Sequence, residues 1–139
     1  MRLLDLATAR QYLTANGIPA AQQNDILGGF DFAKPVYEQV VQPGQVLFQF
    51  IRNPTYLGAS QAGNWFALSG ATQAGVGIFG GGSGRHLHKF EVAFPFACLE
   101  GTAAALARNW SWAGGGRGGD TQLYVPPRFI GHLRSLGPQ

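Results

Sequence analysis

Glycine fills five of the six positions from Gly114 to Gly119, broken only by Arg117, and this run feeds into Gly118–Pro127, GGDTQLYVPP. A glycine run loses more conformational entropy on ordering than any other stretch, so it predicts a loop. The residues after it have the opposite character. Asp120, Gln122 and Tyr124 fall on one side of an extended chain, and Thr121, Leu123 and Val125 on the other. That period of two predicts a β-strand with one covered face. Pro126 and Pro127 end it, because proline cannot donate to a ladder. A glycine loop therefore delivers a carboxylate and a carboxamide, two residues apart, to one face of a rigid strand, and the rest of the chain can be read as support for that site.

The 139 residues suffice for one domain with a real core. Apolar residues make up 45%, which argues against disorder, while charged residues are only 12%, about half the usual share. Few charges and 21 glycines point to a loop-rich, partly β fold with some surface normally covered by another chain. The net charge of +3 suits an anionic small ligand or an acidic partner and does not by itself indicate nucleic-acid binding. Cys98 is the single cysteine, which excludes a disulfide framework or a zinc quartet, and its apolar setting VAFPFACL reads as a buried, inert thiol. No apolar run reaches the length of a membrane span and the first residues lack the apolar region of a signal peptide. The expected place of action is a cytosol, reached as part of a larger protein.

Leu3, Leu6 and Leu13 give a helical stripe that Asn16-Gly17 stops, and Pro19 opens a second helix that Gly28-Gly29 ends. The expectation is a helical hairpin over residues 3–28, then a connector over 30–44. Strands are expected at Val46–Arg52, Asn64–Ser69 and His86–Phe96, with a short one at Val76–Phe79. The alanine-rich Glu100–Arg108 predicts one or two helical turns, and strands at 121–125 and 128–132 close the domain. Short helices followed by strands make α+β the predicted class.

Four groups carry candidate chemistry. Arg52 ends an apolar strand and could fork onto a phosphate or carboxylate, or cap a carbonyl. Gly80–Arg85 resembles a phosphate cradle superficially but fits neither the P-loop nor the dinucleotide pattern, and it reads as a loop. His86 and His88, with Lys89, share a strand face. They are half a metal site without a third ligand, an acid–base pair for a metal-independent ribonuclease, or solvent-facing edge residues. Trp65, Trp110 and Trp112 flank glycine-rich segments, where an indole packs in the core or stacks on a nicotinamide or a base.

Taken together, residues 45–132 resemble the ADP-ribosyltransferase-like superfamily, in its NAD-consuming toxin branch. LFQFIR with Arg52 is similar to the first core strand of that superfamily, which an arginine closes. GNWFALSGAT, Gly63 to Thr72, is similar in place to its second strand, although it departs from the usual Ser-Thr-Ser pattern. GGDTQLYVPP is similar to the loop and strand that present a glutamate, with Asp120 at the first acidic position and Gln122 where the glutamate stands. The resemblance implies a helical hairpin followed by a twisted, split β core: a single toxin domain over 1–139, with 1–44 a helical lead-in and 45–139 an NAD-binding catalytic core. It implies catalytic roles for Asp120, Gln122 and Gln61, and substrate contacts for Arg52, Trp65, Phe66 and Ser69. It implies no metal and no cofactor, since NAD+ or NADP+ is the substrate. The implied partners are an acidic cognate immunity protein and a delivery module or chaperone, with action in the target-cell cytoplasm after secretion, as for type VI effectors.

A carboxamide is no general base at neutral pH, whereas a glutamate is. Gln122 therefore favours attack by water, an NAD(P)+ glycohydrolase, over transfer of ADP-ribose to a protein or RNA. A ribonuclease built on His86 and His88, and a non-enzymatic binding module, are the remaining alternatives.

Overall fold

The computed structural model of the protein describes residues 1–51, 64–68, 86–104 and 121–138. The chain enters as a short strand, β1 (Arg2–Leu4), rather than as a helix. Asp5 then starts α1 (Leu6–Ala15): its carboxylate accepts from the Thr8 amide at 2.8 Å, and the Thr8 hydroxyl accepts from the Asp5 amide at 2.9 Å. This reciprocal capping box satisfies amide donors that a helix start leaves unpaired. Asn16 caps the other end, and Gly17 turns the chain at φ +82°, a conformation in which a side chain would clash. Helix α2 (Ala20–Leu27) comes next and ends at Gly28.

The strands β2 (Val36–Val41), β3 (Val46–Ile51), β4 (Trp65–Ala67), β5 (His86–Val92), β6 (Phe96–Thr102), β7 (Thr121–Tyr124) and β8 (Leu133–Pro138) join β1 in one sheet. Its order is β1-β2-β6-β7-β4-β3-β5-β8, antiparallel at every step.

That order forces the sheet to bend. Between β2 and β3 lies only Gln42-Pro43-Gly44-Gln45, closed by a hydrogen bond from the Gln45 amide to the Gln42 carbonyl, with Gly44 at φ +91°. Proline then glycine in the middle of a turn fits type II geometry, whose ends lie within about 7 Å. Yet the two strands stand four places apart in the sheet, roughly 19 Å if it were flat. Strands β5 and β6 repeat the arrangement across residues 93–95. Inside the bend sit Val41, Leu47, Phe66, Phe90, Phe96, Cys98, Leu123 and Leu133, drawn from seven of the strands, with Val125 just past β7. A 3-10 helix, Pro127–His132, adds Ile130 to this core. The outer face carries a second core, in which Leu4, Val36, Leu99 and Tyr124 meet Ala9, Tyr12, Leu13 and Leu27 of the helices.

The expected α+β class, with a helical hairpin ahead of a twisted, split β core, is therefore corrected. A single antiparallel sheet dominates, and its first strands come from the amino-terminal region: Leu3 lies in β1, and the expected connector contains β2. The helices cover the face of that sheet. Three local expectations also change. Residues 86–96 hold two strands with a turn at 93–95 between them. Glu100–Thr102 is extended despite its alanine-rich sequel, because pairing on both sides, with β2 and β7, overrides helix propensity. Residues 128–132 belong to the 3-10 helix, and the strand comes after it. The expected strand at Val76–Phe79 lies outside the described residues.

Candidate functional site

Strands β7 and β4 meet at the middle of the sheet, in the register Trp65↔Tyr124, Phe66↔Leu123 and Ala67↔Gln122. Alternation sends Trp65, Gln122 and Tyr124 to the outer, helix-covered face, and Phe66 and Leu123 to the inner core. The strand entered from the glycine run is thus covered on both faces.

Gln122 is 5% exposed. Its Nε2 donates to the Gly29 carbonyl at 2.5 Å, and the same oxygen accepts the Ala104 amide at 2.9 Å. Gly29 lies just past the end of α2, so the helical region closes the back of the Gln122 position. The neighbouring segment is anchored as well: Phe30 bridges Ala103, and the Asp31 amide donates to the Thr102 carbonyl at 2.8 Å.

Trp65 is half-buried, with ring centroids 5.2 Å from both Phe30 and Tyr124. Its indole lies against Gly29 so closely that a Cβ there would stand 2.8 Å from Cη2 and 2.9 Å from Cζ2. The Trp65 carbonyl accepts from Gln49 Nε2 at 3.0 Å, and Asn64 exchanges hydrogen bonds with Val125 at the end of the same strand. Trp65 and Gln122, both predicted from sequence, therefore share one face of the seam. Phe66 does not join them: it is buried in the inner core, edge-on to Phe90 with centroids 5.5 Å apart. Arg52, Gln61, Ser69 and Asp120 lie outside the described residues.

Sequence reasoning missed Gly29, Phe30 and Tyr124 as walls of this position. The signal was present for Gly29. Gly28 already ends the helix, so a second glycine has no capping work left and marks a close approach.

Among the other candidates, His88 is 1% exposed, with Nε2 2.7 Å from Ser135 Oγ and its ring centroid 5.0 Å from that of Phe90. Burial pulls its pKa below the ordinary value. A histidine with no solvent face cannot trade protons with an RNA backbone unless β8 opens, which weighs against the ribonuclease alternative. Burial pushes the Cys98 thiol up to about 12, helped by the charge of Glu100, and Sγ points at the Gln39 carbonyl at 3.4 Å. The thiol is protonated at neutral pH and hence a poor nucleophile. Burial also raises Glu100 above the ordinary carboxylate value. Among the described residues, no cluster of histidine, cysteine and carboxylate side chains could hold a metal, and no helix is long and apolar enough to cross a membrane.

Known proteins share this architecture. Tse6, solved in complex with Tsi6, matches at a TM-score of 0.74 and 25% identity, over 94% of this chain and 92% of its own. Rhs1-CT, solved with its cognate immunity protein RhsI1, matches at a TM-score of 0.55 and 14% identity, over 94% of this chain and 93% of its own. No curated protein matches the sequence. The profile of Ntox46, described as Bacterial toxin 46, matches residues 5–94, from the cap of α1 to the turn after β5, and the chain belongs to that family.

Proposed function

We propose that this chain is an antibacterial toxin domain that hydrolyses NAD+ or NADP+ to nicotinamide and ADP-ribose or its phosphate. In this reading it acts in the cytoplasm of a target cell, after delivery by a larger effector, and a cognate immunity protein restrains it. Membership of a bacterial toxin family supports the toxin part. Two proteins of this fold were each solved with a bound partner, Tsi6 in one case and a cognate immunity protein in the other, which motivates the immunity partner.

The observation that carries the hydrolase part is the setting of Gln122, a buried carboxamide on the strand that the glycine run enters, paired across the seam with the strand of the partly buried Trp65 indole. The resemblance of LFQFIR and GGDTQLYVPP to NAD-consuming toxins supplies the substrate; it is a resemblance of motifs, and the fold is the bent single sheet. Cleavage breaks the bond between C1′ of the ribose and the nicotinamide nitrogen, and the electron pair leaves with a neutral nicotinamide. Water adds to the resulting oxocarbenium-like centre and loses a proton. Charge develops on the sugar, so preorganised negative charge and dipoles around it carry much of the effect. In this reading Asp120 stabilises that charge or takes the water's proton, and Arg52 holds the diphosphate. Gln61 and Ser69 hold the ribose end, and Trp65 walls the nicotinamide. Gln122 has Nε2 directed to Gly29, and Oε1 is the acceptor that takes a ribose hydroxyl.

The test is nicotinamide release by the wild type, Asp120→Ala and Gln122→Glu. Asp120→Ala is expected to lower kcat by about a hundredfold or more with a smaller change in KM, as for an interaction made mainly in the transition state. Gln122→Glu is expected to give no gain, because a second carboxylate near Asp120 would raise the pKa of one of the two. Full activity of Asp120→Ala would remove it from the mechanism. Efficient transfer of label from adenine-tagged NAD+ to protein or RNA, with little free ADP-ribose, would replace water as the acceptor.

A further inference from the structure

We infer that Gly29 is a positioning residue for this site: its carbonyl sets the orientation of the Gln122 carboxamide, and its missing side chain sets the position of the Trp65 ring. The inference rests on the reading of Gln122 and Trp65 as substrate contacts, and it deepens that reading.

Two independent observations meet at this one residue. The first is the hydrogen bond from Gln122 Nε2. A carboxamide can flip end for end, exchanging donor and acceptor, and its neighbours decide which way it points. Gly29 offers an oxygen, so Nε2 must turn toward it, and Oε1 is held as an acceptor on the other arm. The Ala104 amide donates to the same oxygen, which fixes the carbonyl itself between β6 and β7.

The second observation is steric. A Cβ on Gly29 would sit 2.8 and 2.9 Å from two atoms of the Trp65 six-membered ring, well inside carbon–carbon contact. Phe30 and Tyr124 both pack against the ring, each 5.2 Å away between centroids. Adding one methyl group therefore displaces the indole as a body. Errors of about 1 Å in a group that orients substrate cost on the order of a hundredfold in rate. The inference also gives the helical region a role in the reaction, since the residue that closes the back of the site lies at the end of α2.

The test compares Gly29→Ala, Gln122→Met, Trp65→Phe and the double variant Gly29→Ala/Trp65→Phe, each with thermal unfolding, nicotinamide release and growth arrest on expression in an unprotected bacterium. Gly29→Ala is expected to lower kcat at least tenfold with KM changed less than threefold and the fold retained. Gln122→Met, which keeps the side-chain length and removes the amide, is expected to lose as much. It leaves Gly29 bonded to Ala104, so it also serves as the test should the alanine variant fail to fold. Trp65→Phe removes the atoms in conflict, so Gly29→Ala is expected to cost several-fold less activity in the Trp65→Phe background than in the wild type. Wild-type kcat in folded Gly29→Ala, or full activity in Gln122→Met, would overturn the inference, and so would an equal loss from Gly29→Ala in the wild-type and Trp65→Phe backgrounds. If the wild type arrests growth without releasing nicotinamide, the NAD reading fails alone. The same ranking of variants in growth arrest then decides the role of Gly29.

Discussion

Gln122 and His88 show how differently two polar side chains can use burial. Both are almost fully covered. Gln122 stands beside a partly buried indole and is directed by a carbonyl from another element. His88 lies in the inner core and ties β5 to β8 through Ser135, which makes it a structural residue with a measurable signature. Because burial lowers its folded pKa below the ordinary 6.5, the unfolded chain takes up a proton that the folded chain refuses. The stability His88 contributes is complete above about pH 6.5 and is lost as pH falls toward the folded pKa. Glu100 acts in the opposite sense: burial raises its pKa above 4.5, so the folded state binds its proton first and gains stability as pH falls. Thermal unfolding between pH 7 and 5 is expected to show a falling Tm in the wild type and a flatter profile in His88→Gln. Equal slopes in the two proteins would remove His88 as the source.

At the scale of elements, local chemistry was legible where it is self-contained. The stop at Asn16-Gly17, the second helix ending at Gly28 and the strand leading to Pro126 can all be read from residue types alone. The start of α1 was misplaced because Leu3 fits a helical stripe, while the capping pair Asp5 and Thr8 marks the true boundary. Asp5→Ala is expected to lower the urea midpoint with an unchanged slope, because α1 loses its capping acceptor. The strand contacts of Gly101 were not legible. A Cβ there would meet Phe30 Cδ1 at 2.8 Å and Val36 Cγ2 at 3.1 Å, and neither partner is near it in sequence. Gly101→Ala is expected to destabilise by about 1–3 kcal/mol through overpacking, measured by the same unfolding curve. A stability equal to wild type would mean that Phe30 yields freely.

The whole molecule was the least legible level. Nothing in the residue pattern indicates that strands joined by a four-residue turn stand four places apart, and it is this feature that bends the sheet and divides the apolar residues between two cores. The candidate site inherits the same lesson. Gln122 and Trp65 were found from their strands, whereas their common neighbour Gly29 stands 93 residues from Gln122 along the chain. The low charge density fits a surface that a partner covers, and co-expression of the cognate immunity protein is expected to restore growth to an unprotected bacterium making the wild-type domain. The reaction proposed for this domain is cleavage of NAD(P)+ with water as acceptor. Its most direct measurement is the amount of nicotinamide formed by the purified wild-type domain, together with ADP-ribose from NAD+ or ADP-ribose phosphate from NADP+, with and without a cell extract depleted of small molecules. Both products are expected in equal amounts from at least one dinucleotide, at a rate the extract does not change; no release from either dinucleotide, or release only with the extract present, would contradict the proposal.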